Sequence, residues 1–413
     1  MRCMPVAGIW ADCSDKSQTD QYLAAFIFLK APSSVSIFRH KLNWLKTGVS
    51  GWALIIKASS LGAKQVIMAS RSSEWEEART HLVAECFHQD PLLVYLAPLS
   101  EEEQKELFDY HHSPSDFLAF QQQVESFNLE ALLGNPLFLE LFSDAFVEGN
   151  GSFIDKRSVF ENAVKRLAYE ASTSRLHKGA PSWSDRIKLS NEVFAVLLLS
   201  GAEGVTTADT LNEQYFPRLS DLVPNQMDIH SILDTRLFSP TDDPNNHIPV
   251  HRVVAEYSAA VHLAKRINDV RDPLTLRQCM AIVAPNGVVR EELRGLLSWL
   301  AAVGGEEIQR TAIELDPYTV LANGDPSQLL KSSKMLLLNK LLELSEEDPY
   351  FRGGDAWRSL NAVGVLTEDM VDQSRAILVD QEVGWQLKGL ILILLERAPA
   401  AKYLTTDLLD MMF

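Results

Sequence analysis

From residue 100 onward, apolar residues recur every three or four positions over long blocks, whereas before it they cluster in short unbroken runs. The first pattern predicts amphipathic helices and the second predicts buried strands. "KQVIMASRSSEW" (64–75) reads as one strand ending in Ala-Ser-Arg, and "LLVYLAPLS" (92–100) as another. "SEEEQKEL" then supplies a capping box, with Ser100 and Glu103 able to satisfy each other's backbone donors. Helices are expected at 115–125, 127–133, 136–147 and 157–175, the last with Phe160, Val164, Leu167 and Ala171 on one stripe. Gly, Pro and Ser cluster in 177–185 as a linker. "RIKLSNEVFAVLLLSGAEG" follows as an apolar helix closed by Gly201 and Gly204.

"RLFSPTDDPNNHIPVHR" reads as two extended runs around an Asp-Pro-Asn-Asn turn, a hairpin leading into a helix whose Val253, Tyr257, Ala260, Val261 and Ala264 share a face. From 273 the pattern is nearly all helical, with elements at 275–283, 288–304, 306–313, 327–345, 356–363, 367–378 and 384–396. Short helices joined by polar turns suggest a stacked array, although no fixed repeat period is found. Residues 1–61 contain apolar pieces such as "YLAAFIFL" and "WALIIKA" without caps or period, and predict no defined element. The fold expected is mainly α, with a small α/β portion near the N-terminus.

Composition narrows the function classes. The chain has 413 residues, 46% hydrophobic and 23% charged, as in ordinary globular proteins of more than one domain. Its formal charge of −17 argues against a general nucleic-acid binder, which needs clustered Lys and Arg. A DNA-binding winged helix is weak for the same reason, since "DIHSILDTR" before the hairpin carries little positive charge. Four scattered cysteines (3, 13, 86 and 279) fit neither a disulfide framework nor a zinc site. "GLILILL" (389–395) is too short to span a bilayer, and no signal peptide is read at the start. The expectation is a soluble cytoplasmic protein.

Catalytic motifs are sparse. The sequence contains no G-x-x-x-x-G-K-[ST] phosphate loop, no G-x-S-x-G elbow and no H-E-x-x-H. His111-His112 reads as a solvated pair rather than a metal site. Arg71 closes a strand where α/β sheets present side chains to ligands, or else pairs with an acidic neighbour such as Glu74. Pro136 either opens a helix in its first turn or meets a ligand there. His251 and Arg252 stand at a helix start, where outward N–H groups favour an anion; the plain alternative is a capping or packing histidine.

In order and spacing these pieces resemble the rear portion of a STAND-class NTPase of the NACHT type, similar to the bacterial members that act in antiphage defence. "KQVIMASRSSEW" resembles the sensor strand, "YLAPLSEEEQKELF" the passage into the helical lid, and "LLGNPLFLELF" the lid's Asn-Pro-Leu helix. "IPVHRVVAEYSAAVHLAKRI" resembles the winged-helix signature, while "LRGLLSWLAA" and "ELDPYTVLANGDPS" resemble the helical region after it. The resemblance runs from about residue 62 to about 345. It implies an end of the NTPase α/β core at 62–99, a helical lid at 100–178, a winged-helix-like domain at 185–270 and a helical array at 271–413.

The same resemblance implies residue roles. His251 would reach the β-phosphate and lock the ADP state, Arg71 would be the sensor near the γ-phosphate, and Pro136 would pack on adenine. ATP or ADP with Mg²⁺ would be the ligands of an intact member. This sequence lacks the Walker A and Walker B segments, so no cofactor is expected for the chain alone and no catalysis of its own. It reads as a truncated remnant or split half, a non-catalytic regulatory and sensor portion. Its expected partner is a protein or the missing NTPase half, with no membrane and no general nucleic-acid binding. The competing reading is a standalone α-helical interaction scaffold.

Overall fold

Two short apolar runs become strands where the pattern places them, but a third strand lies between them. The computed structural model describes residues 25–28, 67–70, 77–90, 92–94, 97–112, 116–127, 129–169, 181–208, 215–223, 229–241, 243, 245–351, 364–395, 398 and 400–404. Strand β1 (Ala25–Phe28) sits between β2 (Ile67–Ser70) and β3 (Leu92–Val94) and pairs antiparallel with both, Phe26 facing Ala69 on one side and Val94 on the other. β2 and β3 therefore run in the same direction without pairing to each other. The helix between them, α1 (Glu77–Phe87), was not expected, because its few apolar positions do not fix a period. The α/β end is thus a small antiparallel sheet, and the architecture as a whole is mainly helical.

An aromatic-rich helical segment follows. α2 (Glu101–His111) begins with the predicted capping box: Ser100 N–H donates to Glu103 Oε2 at 2.9 Å, and Glu103 N–H to Ser100 Oγ at 3.3 Å. α3 (Phe117–Ser126), α4 (Pro136–Glu148) and α5 (Lys156–Ala168) pack their phenylalanines inward. The Phe108 ring stacks on Phe120 at 5.0 Å between centroids, and Phe120 meets Phe146 edge-on at 5.6 Å. Each such ring contributes roughly 1.5–3 kcal/mol by leaving water. The 127–133 helix is a single 3-10 turn at Glu130–Leu132. Helix α5 stops at Ala168 instead of 175, because Tyr169 turns extended and Arg236 N–H donates to the Leu167 carbonyl at 2.9 Å. Ala171, the proposed end of its stripe, lies outside the described residues.

The next segment holds α6 (Trp183–Ser200), β4 (Val205–Thr206), α7 (Leu219–Leu222), β5 (Phe238–Pro240), β6 (Asn246–Pro249) and α8 (Arg252–Asn268). The expected linker ends earlier than 185: Ser182 caps α6 by accepting from Asp185 N–H, so Trp183 is already helical. Gly201 closes α6 at φ +78, a left-handed conformation costly for any residue with a Cβ. β5 and β6 form the predicted hairpin, and β4 adds to β6 on its other side.

Beyond it come α9 (Leu276–Val283), α10 (Arg294–Val303), α11 (Glu306–Leu315), α12 (Pro317–Asn323), α13 (Lys331–Glu347), α14 (Val371–Val379) and α15 (Trp385–Leu395). α10 is the hub: Leu296, Leu297, Trp299, Leu300 and Ala301 are all fully buried, and α8, α11 and α12 pack around it. The 288–304 pattern splits into a 3-10 turn at Glu291–Leu293 and then α10. α12, absent from the sequence reading, starts at Pro317 with Asp316 accepting from Thr319 N–H at 2.8 Å. The helix expected at 356–363 lies outside the described residues.

Candidate functional site

Two helix beginnings meet through one ring contact. α4 starts with Asn135 as its cap, whose Oδ1 accepts from Leu137 N–H at 3.0 Å, and with Pro136 in the first turn, where a missing N–H costs nothing. Phe138, on that same turn, is buried. α8 starts with His251 as its cap, in extended backbone, and its Nδ1 accepts from Val253 N–H at 3.2 Å. The Phe138 and His251 rings meet edge-to-face, 6.2 Å between centroids and 76° apart. Pro136 and His251 are thereby brought to the same corner, while Arg71 lies outside the described residues.

The electrostatics of His251 follow from its place. Partial burial holds its imidazole below the ordinary histidine range, so the ring is neutral at pH 7. Because Nδ1 accepts from the backbone, the ring proton of the neutral form sits on Nε2, which is therefore a hydrogen-bond donor. Capping and packing are both real roles here, and they leave a single N–H to offer an anionic acceptor.

Arg252, the next residue, serves a different neighbour. Its Nε pairs with Glu256 Oε1 at 2.9 Å, and its Nη2 donates to the Glu292 carbonyl in the 3-10 turn before α10. Glu256 is buried, and burial raises its carboxyl despite the arginine. A Cβ on Gly295 would stand 2.1 Å from Glu256 Oε2, so the glycine in "LRGLLSW" makes room for that carboxylate. The His-Arg pair thus faces two ways, histidine toward α4 and arginine toward the C-terminal helices.

Sequence reasoning did not find the Phe138–His251 or Glu256–Gly295 contacts, because their partners lie far apart along the chain, and it also passed over the local i,i+4 pair of Arg252 with Glu256. The histidine pair also needs correction. His111 is exposed, but His112 is half-buried, its ring tilted against Phe108 at 5.1 Å between centroids, with Nε2 3.1 Å from Ser143 Oγ. Among the described residues no group of three or more His, Cys, Asp or Glu side chains is placed to hold a metal ion, and no helix is long and apolar enough to cross a membrane. No family model and no curated protein matches this chain.

Proposed function

We propose that the chain is the regulatory and sensor portion of a NACHT/STAND-type nucleotide-switch protein, without catalysis of its own. The observation that carries this reading is the corner where α4 and α8 begin. His251, with Nδ1 used as the cap acceptor, retains an Nε2–H donor in its neutral form, and its ring touches Phe138 on the first turn that also bears Pro136. A histidine donor suits a phosphate oxygen and a proline ring suits a flat base. In this reading His251 contacts the nucleotide's β-phosphate and Pro136 its base. Arg71 approaches the γ-phosphate, and an NTPase portion with its own Mg²⁺ supplies the remaining contacts. Switching then follows from unequal contacts to ADP and ATP.

The purified chain is expected to show no Mg-ATP turnover above buffer, and the DNA preceding the Met1 codon to encode a Gly-rich phosphate loop and an acidic strand. Turnover by the chain alone would overturn the non-catalytic assignment. Upstream DNA without either motif would favour the second reading, a helical interaction scaffold. That alternative draws on the apolar side chains α15 exposes at Trp385, Leu392 and Ile393.

A further inference from the structure

Three phrases of the sequence have no role in the nucleotide corner: the Glu-Tyr of α8, "LRGLLSW" on α10, and "NGDPS" at 323–327. They converge on one place, the first turn of α5. Asp325, only 3% exposed, accepts from Arg157 N–H through Oδ2 at 2.8 Å, across 168 positions of sequence. Its Oδ1 accepts from Ser327 N–H at 3.3 Å and Ser327 Oγ–H at 2.5 Å, so the carboxylate is anchored on its own side as well. Asp155 caps the same helix by accepting from Ser158 N–H at 2.6 Å. The first turn of α5 is therefore capped twice, once from within and once by the C-terminal helices.

Lys156 lies beside that cap, 8% exposed, its Nζ over the Trp299 ring at 5.9 Å. It feels the charges of Asp325, Glu130 and Glu256, yet among the described residues no carboxylate reaches ion-pair distance of Nζ. Trp299 packs edge-on against Phe160 at 5.1 Å and Tyr257 at 5.0 Å, and its buried Nε1–H finds no acceptor. A contact built this way differs from an apolar core. Every charged or polar group in it regains hydration on opening, which lowers the cost of separation. The apolar side chains buried along α8 and α10 regain nothing comparable.

We propose that the first turn of α5 and its Glu256–Trp299–Asp325 receptor form a releasable clasp that holds the aromatic helical segment onto the C-terminal helices. Asp325 closes it by accepting from the α5 backbone, and buried Lys156 keeps it weaker than its contact area suggests. The clasp concerns the junction alone and does not depend on nucleotide binding.

Amide hydrogen exchange of the full chain, resolved by peptide, tests it with two variants of opposite sign. Asp325→Asn removes the anionic acceptor, and exchange across 155–163 is expected to rise about tenfold while α13 is unchanged. Lys156→Met replaces a buried charge with apolar volume and is expected to slow exchange across 155–163. A contact in which Lys156 contributes favourably would loosen in both variants. The clasp is overturned if Asp325→Asn leaves 155–163 unchanged or raises exchange evenly along the chain, or if Lys156→Met fails to slow it. Should Asp325→Asn not fold, Lys156→Met decides alone.

Discussion

The seam where α5 meets the C-terminal helices and the neighbouring seam where α8 meets α10 are built from different materials. α8 and α10 pack on each other and are both rich in fully buried apolar side chains, Ala259, Ala260 and Leu263 on one and Leu296, Leu297 and Leu300 on the other, with Glu256 against Gly295 as the polar exception. At α5 the same two helices offer Glu256 and Trp299, and Asp325 and Lys156 complete a contact rich in charge. An apolar seam is held by excluded water and is indifferent to pH. A charged one is a balance of desolvation against pairing, so small chemical changes move it. The proposed clasp thus lies at the junction richer in charge.

The largest expected effect breaks the apolar side. Leu297→Ala removes a fully buried side chain from α10, and we expect a loss of about 2–5 kcal/mol in denaturant unfolding. A loss well under 1 kcal/mol would mean that the α10 hub repacks, and the contrast between the seams would fail.

A smaller effect sharpens the charged side. Burial lowers the Lys156 ammonium to about 8, whereas an unfolded chain keeps that proton until about 10.4. Between those values the unfolded state holds more protons, so stability rises with pH across that window and is flat below it. The Lys156 share of that rise amounts to ~3 kcal/mol at most, and Lys156→Met should reduce the slope by that share. A wild-type curve without slope between pH 8 and 10 would show that the charge is freely solvated.

The smallest effect concerns the α8 cap. His251→Ala should cost about 1 kcal/mol, while His251→Asn, which keeps an acceptor for Val253 N–H, should cost a few tenths. Thermal melts of both variants check this. Equal losses would assign His251 to packing on Phe138 rather than to capping.

Much of the helical framework was legible because its signals are local. Ser100 with Glu103, Pro136 after Asn135, and Gly201 after an apolar helix each act within a few residues of the ends they define. The failures have physical causes too. α5 stops at Ala168 because a distant backbone N–H takes the Leu167 carbonyl, and no local pattern announces that bond. β1 sits in a stretch without period, and its paired residues lie at least 39 positions away. The candidate corner was half legible: His251 and Pro136 stood out as helix-start residues, but the Phe138 ring that joins their helices did not.

By itself the sequence determined where several helices begin, the hairpin before α8, and a charge balance unsuited to general phosphate binding, because propensity, capping and net charge are properties of neighbouring residues or of composition. Only the tertiary structure decided that His251 turns toward α4 and Arg252 toward Glu292, that Gly295 makes room for Glu256, and that Asp325 caps a helix 168 positions upstream. Those contacts depend on how helices cross, and burial changes what a charge is worth only once the helices have met.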